Sequence, residues 1–294
     1  MRDPLFILCP GRSFSSVVCA VIGQHPDAFG LPEVHLFAER KVGDLLDLDT
    51  PIFGLVGATN GLKRAVAELV FNEQSFESVE RATKWCEERR HNTGAEFFRE
   101  LCERAGDRLV VDKSPTNTHT DGVERLYKAF PNAKFLHLSR HPRAMCRSQH
   151  KAYAQRKGAR GLKKFDHENY WLTRHQSILK FSKRLDPGQY MFLHGEWFFE
   201  FPELFLTQIC EWLDLSTAPE AIEQMMHPEL SPFAKLGPDN AKYGNNLGFI
   251  DSPHLRVGKI PSETIDGPLE WVTDREAYFS DQTRSLAYQL GYDT

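Results

Sequence analysis

The sequence predicts an α/β protein in three layers: a mostly parallel sheet flanked by helices, with a P-loop-like loop at the first strand–helix junction. Three observations carry this. Near-continuous apolar runs at 4–9, 108–112, 133–139 and 189–194 read as strands buried on both faces. Helical patterns alternate with them at about 16–24, 77–104, 119–130, 142–153, 166–184 and 202–213, and another closes the chain at about 271–290. Such alternation argues for a parallel sheet covered on both faces. Finally, the first apolar run breaks at Pro10-Gly11, passes Arg12, Ser13, Phe14, Ser15 and Ser16, and re-enters an apolar segment at helical spacing.

That opening loop is an anion site by construction. The first N–H groups of a helix lack intrahelical partners and lie at the positive end of its dipole. Arg12 adds a permanent charge with a fork of donors suited to phosphate or sulfate oxygens. The loop does not fit G-x-x-x-x-G-K-[ST], because Gly11 is followed five residues later by Ser16 and no lysine comes next. Read alone, the segment fits equally a strand–loop–helix corner with a solvated arginine.

In parallel sheets, ligands bind outside the carboxyl ends of the strands. Arg12 follows the first of the four long apolar runs, Lys113-Ser114 the second, Arg140 the third and Glu196 the fourth. Four separate loops thus aim polar groups at one crevice. Past the third run, Pro142 suits the first turn of a helix. Ser148 comes two turns into that helix, and Arg143 and Arg147 share one of its faces. Segment 228–262 is rich in Pro, Gly and Asn and reads as a long lid-like loop.

Composition sets the remaining bounds. The chain has 294 residues and a formal net charge of -4, which argues against electrostatic binding of nucleic acid or anionic membranes by the molecule as a whole. Six scattered cysteines without C-x-x-C spacing suit reduced, buried thiols rather than a disulfide framework or a zinc site. No apolar run approaches membrane-spanning length, and the chain opens on a strand with no signal peptide. A soluble, cytoplasmic protein of one domain over 1–294 is the expectation, with no metal: His137 and His141 straddle a strand–helix junction.

The opening loop together with Arg140 and Ser148 resembles the sulfotransferases that use 3′-phosphoadenosine-5′-phosphosulfate (PAPS), most closely the tyrosylprotein sulfotransferases and their bacterial relatives. Their Pro-Arg-Ser-Gly-Thr-Thr loop is similar to Pro10-Gly11-Arg12-Ser13-Phe14-Ser15-Ser16. Their His-Pro followed by Gly-Glu-Glu resembles His25-Pro26 and Pro32-Glu33-Val34. Phe130-Pro131-Asn132-Ala133-Lys134-Phe135, Val257-Gly258-Lys259-Ile260-Pro261 and Leu290-Gly291-Tyr292-Asp293 repeat further family segments.

The resemblance implies that Gly11 to Ser16 hold the 5′-phosphosulfate, that Arg140 and Ser148 hold the 3′-phosphate, and that Lys259 contacts the nucleotide. It implies roles for Arg12 and Lys113 at the leaving group, Lys113 standing in Asp112-Lys113-Ser114-Pro115 where the family has Asn-Lys-Asp-Pro. Glu33, at the family spacing from Arg12 and after a short apolar strand, is the expected general base, with His35 the other candidate. Near neutral pH a glutamate needs either burial to raise its pKa or sulfuryl transfer running ahead of proton loss. Glu196 reads as structural. The aromatics of 152–201 are candidates to line an acceptor pocket, but at helical spacing most read as core.

Five positions depart from the family: Phe14 for a glycine, Gly195 for a frequent tyrosine, Val34 and Leu36 for polar residues, and His141 for Asp or Gly. The implied acceptor is a hydroxyl or phenol on a small molecule, glycan, lipid or peptide tyrosine; the basic stretch Arg156 to Lys164 suits an acidic peptide. Two other readings stand beside this one: a kinase-like phosphotransferase, and a nucleotide-binding module without turnover.

Overall fold

The computed structural model describes residues 2–48, 57–162, 165–273 and 275–292, with backbone alone at residues 120 and 155–162. Five strands form its sheet: β1 (Leu5–Leu8), β2 (Ala28–Gly30), β3 (Leu109–Asp112), β4 (Lys134–Ser139) and β5 (Tyr190–His194). Their order is β2-β3-β1-β4-β5, and every adjacent pair is parallel. The chain runs from β1 outward to β2, returns through β3 and crosses β1 to β4. The carboxyl end of β1 therefore lies at the point where the winding reverses, which is where such sheets bind ligands.

Helices α1 (Ser15–Gly23), α2 (Val42–Asp47), α3 (Asn60–Phe71), α4 (Phe76–Glu88), α5 (Gly94–Arg104) and α6 (Thr120–Ala129) precede β4. After it come α7 (Pro142–Leu162), α8 (His167–Ser182), α9 (Gly195–Glu200), α10 (Pro202–Leu213), α11 (Pro219–Met225), α12 (Leu247–Asp251) and α13 (Asp281–Gln289).

Strand alternation divides the core between the two faces. Phe6 and Leu8 point into one layer, with Phe37, Phe98, Phe130 and Phe135; Leu5 and Ile7 point into the other, with Val18, Val111, Leu136 and Phe198. The Phe6 ring lies 5.4–5.9 Å from four other phenylalanine rings. Both faces of β1 are fully buried, as a central parallel strand requires. All six cysteines are unpaired and buried. Burial pushes the Cys9, Cys19, Cys86 and Cys102 thiols up to about 12.

Two of the helix expectations need correction. The helical pattern over 77–104 is two helices, because Thr93 caps the second: its Oγ1 accepts from the Glu96 N–H and its own N–H donates to Glu96 Oε2 at 2.7 Å. Gly94 lets the start of this second helix pack against the Leu36 backbone, since a Cβ there would fall 1.8 Å from the Leu36 carbonyl oxygen. The closing helix starts at 281, where Ser280 caps it. Upstream, Arg143 donates to the carbonyls of Thr264, Asp266, Gly267 and Pro268 and to Glu270. Arg143 and Arg147 thus hold the C-terminal segment, with Arg147 bound to Glu263 and Glu270.

The segment 228–262 has two parts. Up to Tyr243 it is pinned by Arg64, which is fully buried and donates to Gln74, Tyr243 and Pro232 oxygens. Phe233 and Ala241 are buried there. Beyond α12 it runs exposed along the carboxyl edge of the sheet.

Candidate functional site

The loop after β1 owes its shape to two non-glycine residues with positive φ, Arg12 at 75° and Phe14 at 67°. Each sits in the sparsely populated left-handed region, at a cost of order 1–3 kcal/mol. Such turns let successive N–H groups face one side and make an anion cradle. At its start the Gly11 N–H donates to the Tyr170 hydroxyl on α8, 3.0 Å away. Ser13 is fully buried, and its Oγ has no hydrogen-bond partner.

Arg140, at the end of β4, arrives beside this loop. Its Nη1 donates to the Arg12 carbonyl at 2.8 Å, and its guanidinium lies 4.3 Å over the Phe14 ring. Its buried Nε has no partner. Burial lowers its pKa to about 10, against the pull of Glu196, so it stays charged at neutral pH. The surrounding backbone is held firmly. Trp171 Nε1 donates to the Arg140 carbonyl, the His141 N–H donates to Glu196 Oε1 at 2.9 Å, and the Tyr292 hydroxyl bridges Glu196 and Ser139. Ser148 meets the loop as well, but through Arg12: Arg12 Nε donates to Ser148 Oγ at 3.1 Å.

At the other side of the loop, Lys113 follows β3 and is only 1 % exposed. Its Nζ donates to Ser16 Oγ at 3.1 Å and to Glu33 Oε1 at 3.0 Å. Glu33 is held from behind by its own N–H, which donates to the Gly244 carbonyl. Burial alone would raise its pKa; the Lys113 ammonium and the His35 ring outweigh that and hold the carboxyl well below the usual carboxylate range. Of the two routes by which Glu33 could act as a base, a pKa raised by burial is thus not the one the site provides. His35 Nε2 stands 3.7 Å from Glu33 Oε2, and its Nδ1 pairs with Thr116 Oγ1.

Ser114 builds the turn that presents Glu33. Its Oγ accepts from the Val34 and His35 N–H groups, both at 3.0 Å, and donates to Asp112 Oδ1 at 2.8 Å. His35 there has φ 54°. One tripeptide, Asp112-Lys113-Ser114, thus supplies both the charge partner of the carboxylate and the scaffold beneath it.

A cavity of about 640 Å³ opens between these groups. Residues 11–17, Glu33, Pro115 and Arg140 line its base, with Gln149, Ala152, Tyr153, Tyr170 and Phe199 on one wall. The C-terminal segment supplies Asn245, Asn246, Gly248, Phe249, Ser252, His254, Arg256 and Ile260. Arg12 and Arg140 therefore share one cavity. Lys113 lies just behind its wall, whereas His35, Ser148 and Lys259 are outside the lining. Lys259 is exposed, and its neighbours Arg256 and Ile260 are the residues of that stretch that line the cavity.

Sequence reasoning missed Gln149, Asn245, Asn246, His254 and Arg256, which follow no motif spacing. Tyr153, Tyr170 and Phe199 had a signal in the aromatic run over 152–201, but helical spacing drew them toward the core. In that same run Trp171 and Phe198 are core, while Trp197 and Phe201 are half exposed. The side chains of Arg156 to Lys164, and residue Asp293, lie outside the described residues. Among the described residues no group of three or more metal-ligating side chains gathers, and no helix is long and apolar enough to cross a membrane.

Comparison with known proteins agrees with this architecture. A sulfotransferase from the curacin biosynthetic pathway superposes with a TM-score of 0.79 at 21% identity, over 100% of this chain and 99% of that one. A sulfotransferase domain from the olefin synthase of Synechococcus PCC 7002 gives 0.73 at 24% identity, over 100% and 97%. These likenesses show the fold. No curated protein matches by sequence. A sequence model of the sulfotransferase family matches residues 4–219. With most of its length under that match, and a five-stranded parallel sheet of the same fold, the chain belongs to the sulfotransferase family.

Proposed function

We propose that this chain transfers a sulfuryl group from PAPS to a hydroxyl-bearing acceptor, as one catalytic domain in the cytoplasm. The observation that carries the reading is the meeting of Arg12 and Arg140 in one cavity, beside the Lys113–Glu33 pair. The donor set suits a nucleotide with two anionic groups. Ser13 Oγ and Arg140 Nε are buried without partners, and polar groups of that kind are costly to leave unsatisfied. When bound, the co-substrate supplies the sulfuryl group, whose bond to the 5′-phosphate breaks as its bond to the acceptor oxygen forms. The loop N–H groups and hydroxyls from Gly11 to Ser16, with Arg12, hold the 5′ end. Arg140 holds the 3′-phosphate, Ser148 steadies the Arg12 guanidinium beside it through its Oγ, and Arg256 closes over the nucleotide from the C-terminal segment.

Lys113 stabilises negative charge growing on the leaving oxygen, which needs a cation already in position. Glu33, ionised at neutral pH, accepts the acceptor's proton. Its low basicity places that proton transfer late, after most of the bond to sulfur has formed. A phosphotransferase reading finds less support, since Glu33 is the one carboxylate among the described residues lining the cavity. Six buried, unpaired thiols suit a reducing compartment. Incubation with radiolabelled PAPS and a panel of phenols and alcohols tests the reading. Transfer that depends on Glu33 and Lys113 supports it. Binding of adenosine 3′,5′-bisphosphate without turnover on any acceptor would leave the module reading in its place.

A further inference from the structure

Phe14 and Gly195 are the two departures from the family that touch each other. A Cβ built on Gly195 would fall 2.8 Å from Phe14 Cδ2 and 2.5 Å from the Ser139 carbonyl oxygen. The Ser139 carbonyl alone excludes a side chain there, and the Phe14 ring packs into the space that glycine leaves. The ring is wedged edge-on against Phe199, with centroids 4.9 Å apart, and its face lies under the Arg140 guanidinium at 4.3 Å. Phe14 holds this position from left-handed backbone at φ 67°, a conformation that disfavours a bulky residue.

We propose that Phe14 is a positioning residue for the 3′-phosphate end of the nucleotide: its ring is the shelf that fixes the Arg140 guanidinium, and Gly195 is the space that admits it. This rests on the donor reading above. Arg140 needs such a shelf because its contacts leave one edge open. Nη1 is tied to the Arg12 carbonyl, and Nε is buried without a partner. A guanidinium stacked on a ring keeps its plane and its donors aimed while losing little entropy on binding. The backbone strain at Phe14 is then retained because the ring does work that glycine would not.

The test is calorimetric titration with adenosine 3′,5′-bisphosphate and with adenosine 5′-monophosphate, which lacks the 3′ group. The unaltered chain should prefer the bisphosphate. Phe14→Leu, which keeps apolar volume but no ring, should weaken the bisphosphate by about five- to tenfold and the monophosphate by less than about twofold. Phe14→Tyr should restore the preference. If Phe14→Leu folds poorly, Phe14→Gly gives the same reading, since glycine is at ease at this φ. Equal weakening of both nucleotides, or no change in either, would overturn the proposal. No preference in the unaltered chain would instead overturn the donor reading, and the proposal with it.

Discussion

Lys113 Nζ lies 3.0 Å from Glu33 Oε1 and 3.1 Å from Ser16 Oγ, so one buried ammonium joins the carboxylate after β2 to the first turn of α1. The proposed base and the proposed leaving-group cradle are thus coupled through a single charge. Glu33→Gln keeps an oxygen for Lys113 but cannot take a proton. Transfer should fall by about 10²–10⁴-fold while the dissociation constant for adenosine 3′,5′-bisphosphate stays nearly unchanged. Turnover close to that of the unaltered enzyme would move the role to His35.

Lys113→Met removes the charge that outweighs burial at Glu33. Rate should drop by about 10²–10³-fold, the usual cost of losing one such donor. The remaining activity should also have its acid limb at higher pH, because desolvation then acts on Glu33 unopposed. A pH–rate profile checks this; an acid limb that does not move contradicts it.

Ser114→Ala leaves the Val34 and His35 N–H groups without their acceptor and frees the turn that carries Glu33. Stability should fall by about 1–3 kcal/mol, read from urea unfolding. The catalytic rate should fall while bisphosphate affinity holds, and Ser114→Thr should recover much of both. Loss of nucleotide affinity in step with rate would mean that Ser114 serves the whole site rather than the carboxylate.

Buried histidines set the acid stability of the fold. His137, between Tyr190 and His175, is lowered to about 3 by burial, and His167 and His194 to about 4, also chiefly by burial. Each is neutral when folded and binds a proton more readily when unfolded. Their contribution is thus complete above about pH 6.5 and is lost as pH falls below it. Unfolding free energy should decline by about 1.4 kcal/mol per pH unit for each such histidine. His137→Gln should flatten the slope by about one proton, and an unchanged slope would contradict the assignment.

How far the sequence revealed all this depended on the kind of contact involved. The loop, Lys113 and Arg140 were legible because strand ends fix where the next residues point, and strands buried on both faces are plain in a linear pattern. Glu33 was legible through spacing. The partnership of Phe14 with Gly195 was not, since it joins residues 181 positions apart through the absence of a side chain. Nor was the contribution of Asn245, Asn246 and Arg256, which depends on a segment pinned by Arg64 and Arg143 rather than by any repeating pattern. The low pKa of Glu33 was hidden for a related reason. Apolar neighbours in sequence suggested desolvation, while the cation that reverses it comes from another strand.

Titrating adenosine 3′,5′-bisphosphate into the unaltered chain, Arg12→Ala and Arg140→Ala, with ATP and Mg²⁺ in parallel, tests the two-arginine cavity most directly. Saturable binding of the bisphosphate, weakened roughly 10- to 100-fold by either substitution, is the expected result. Equal affinity in all three proteins, or preference for ATP with Mg²⁺, would contradict it.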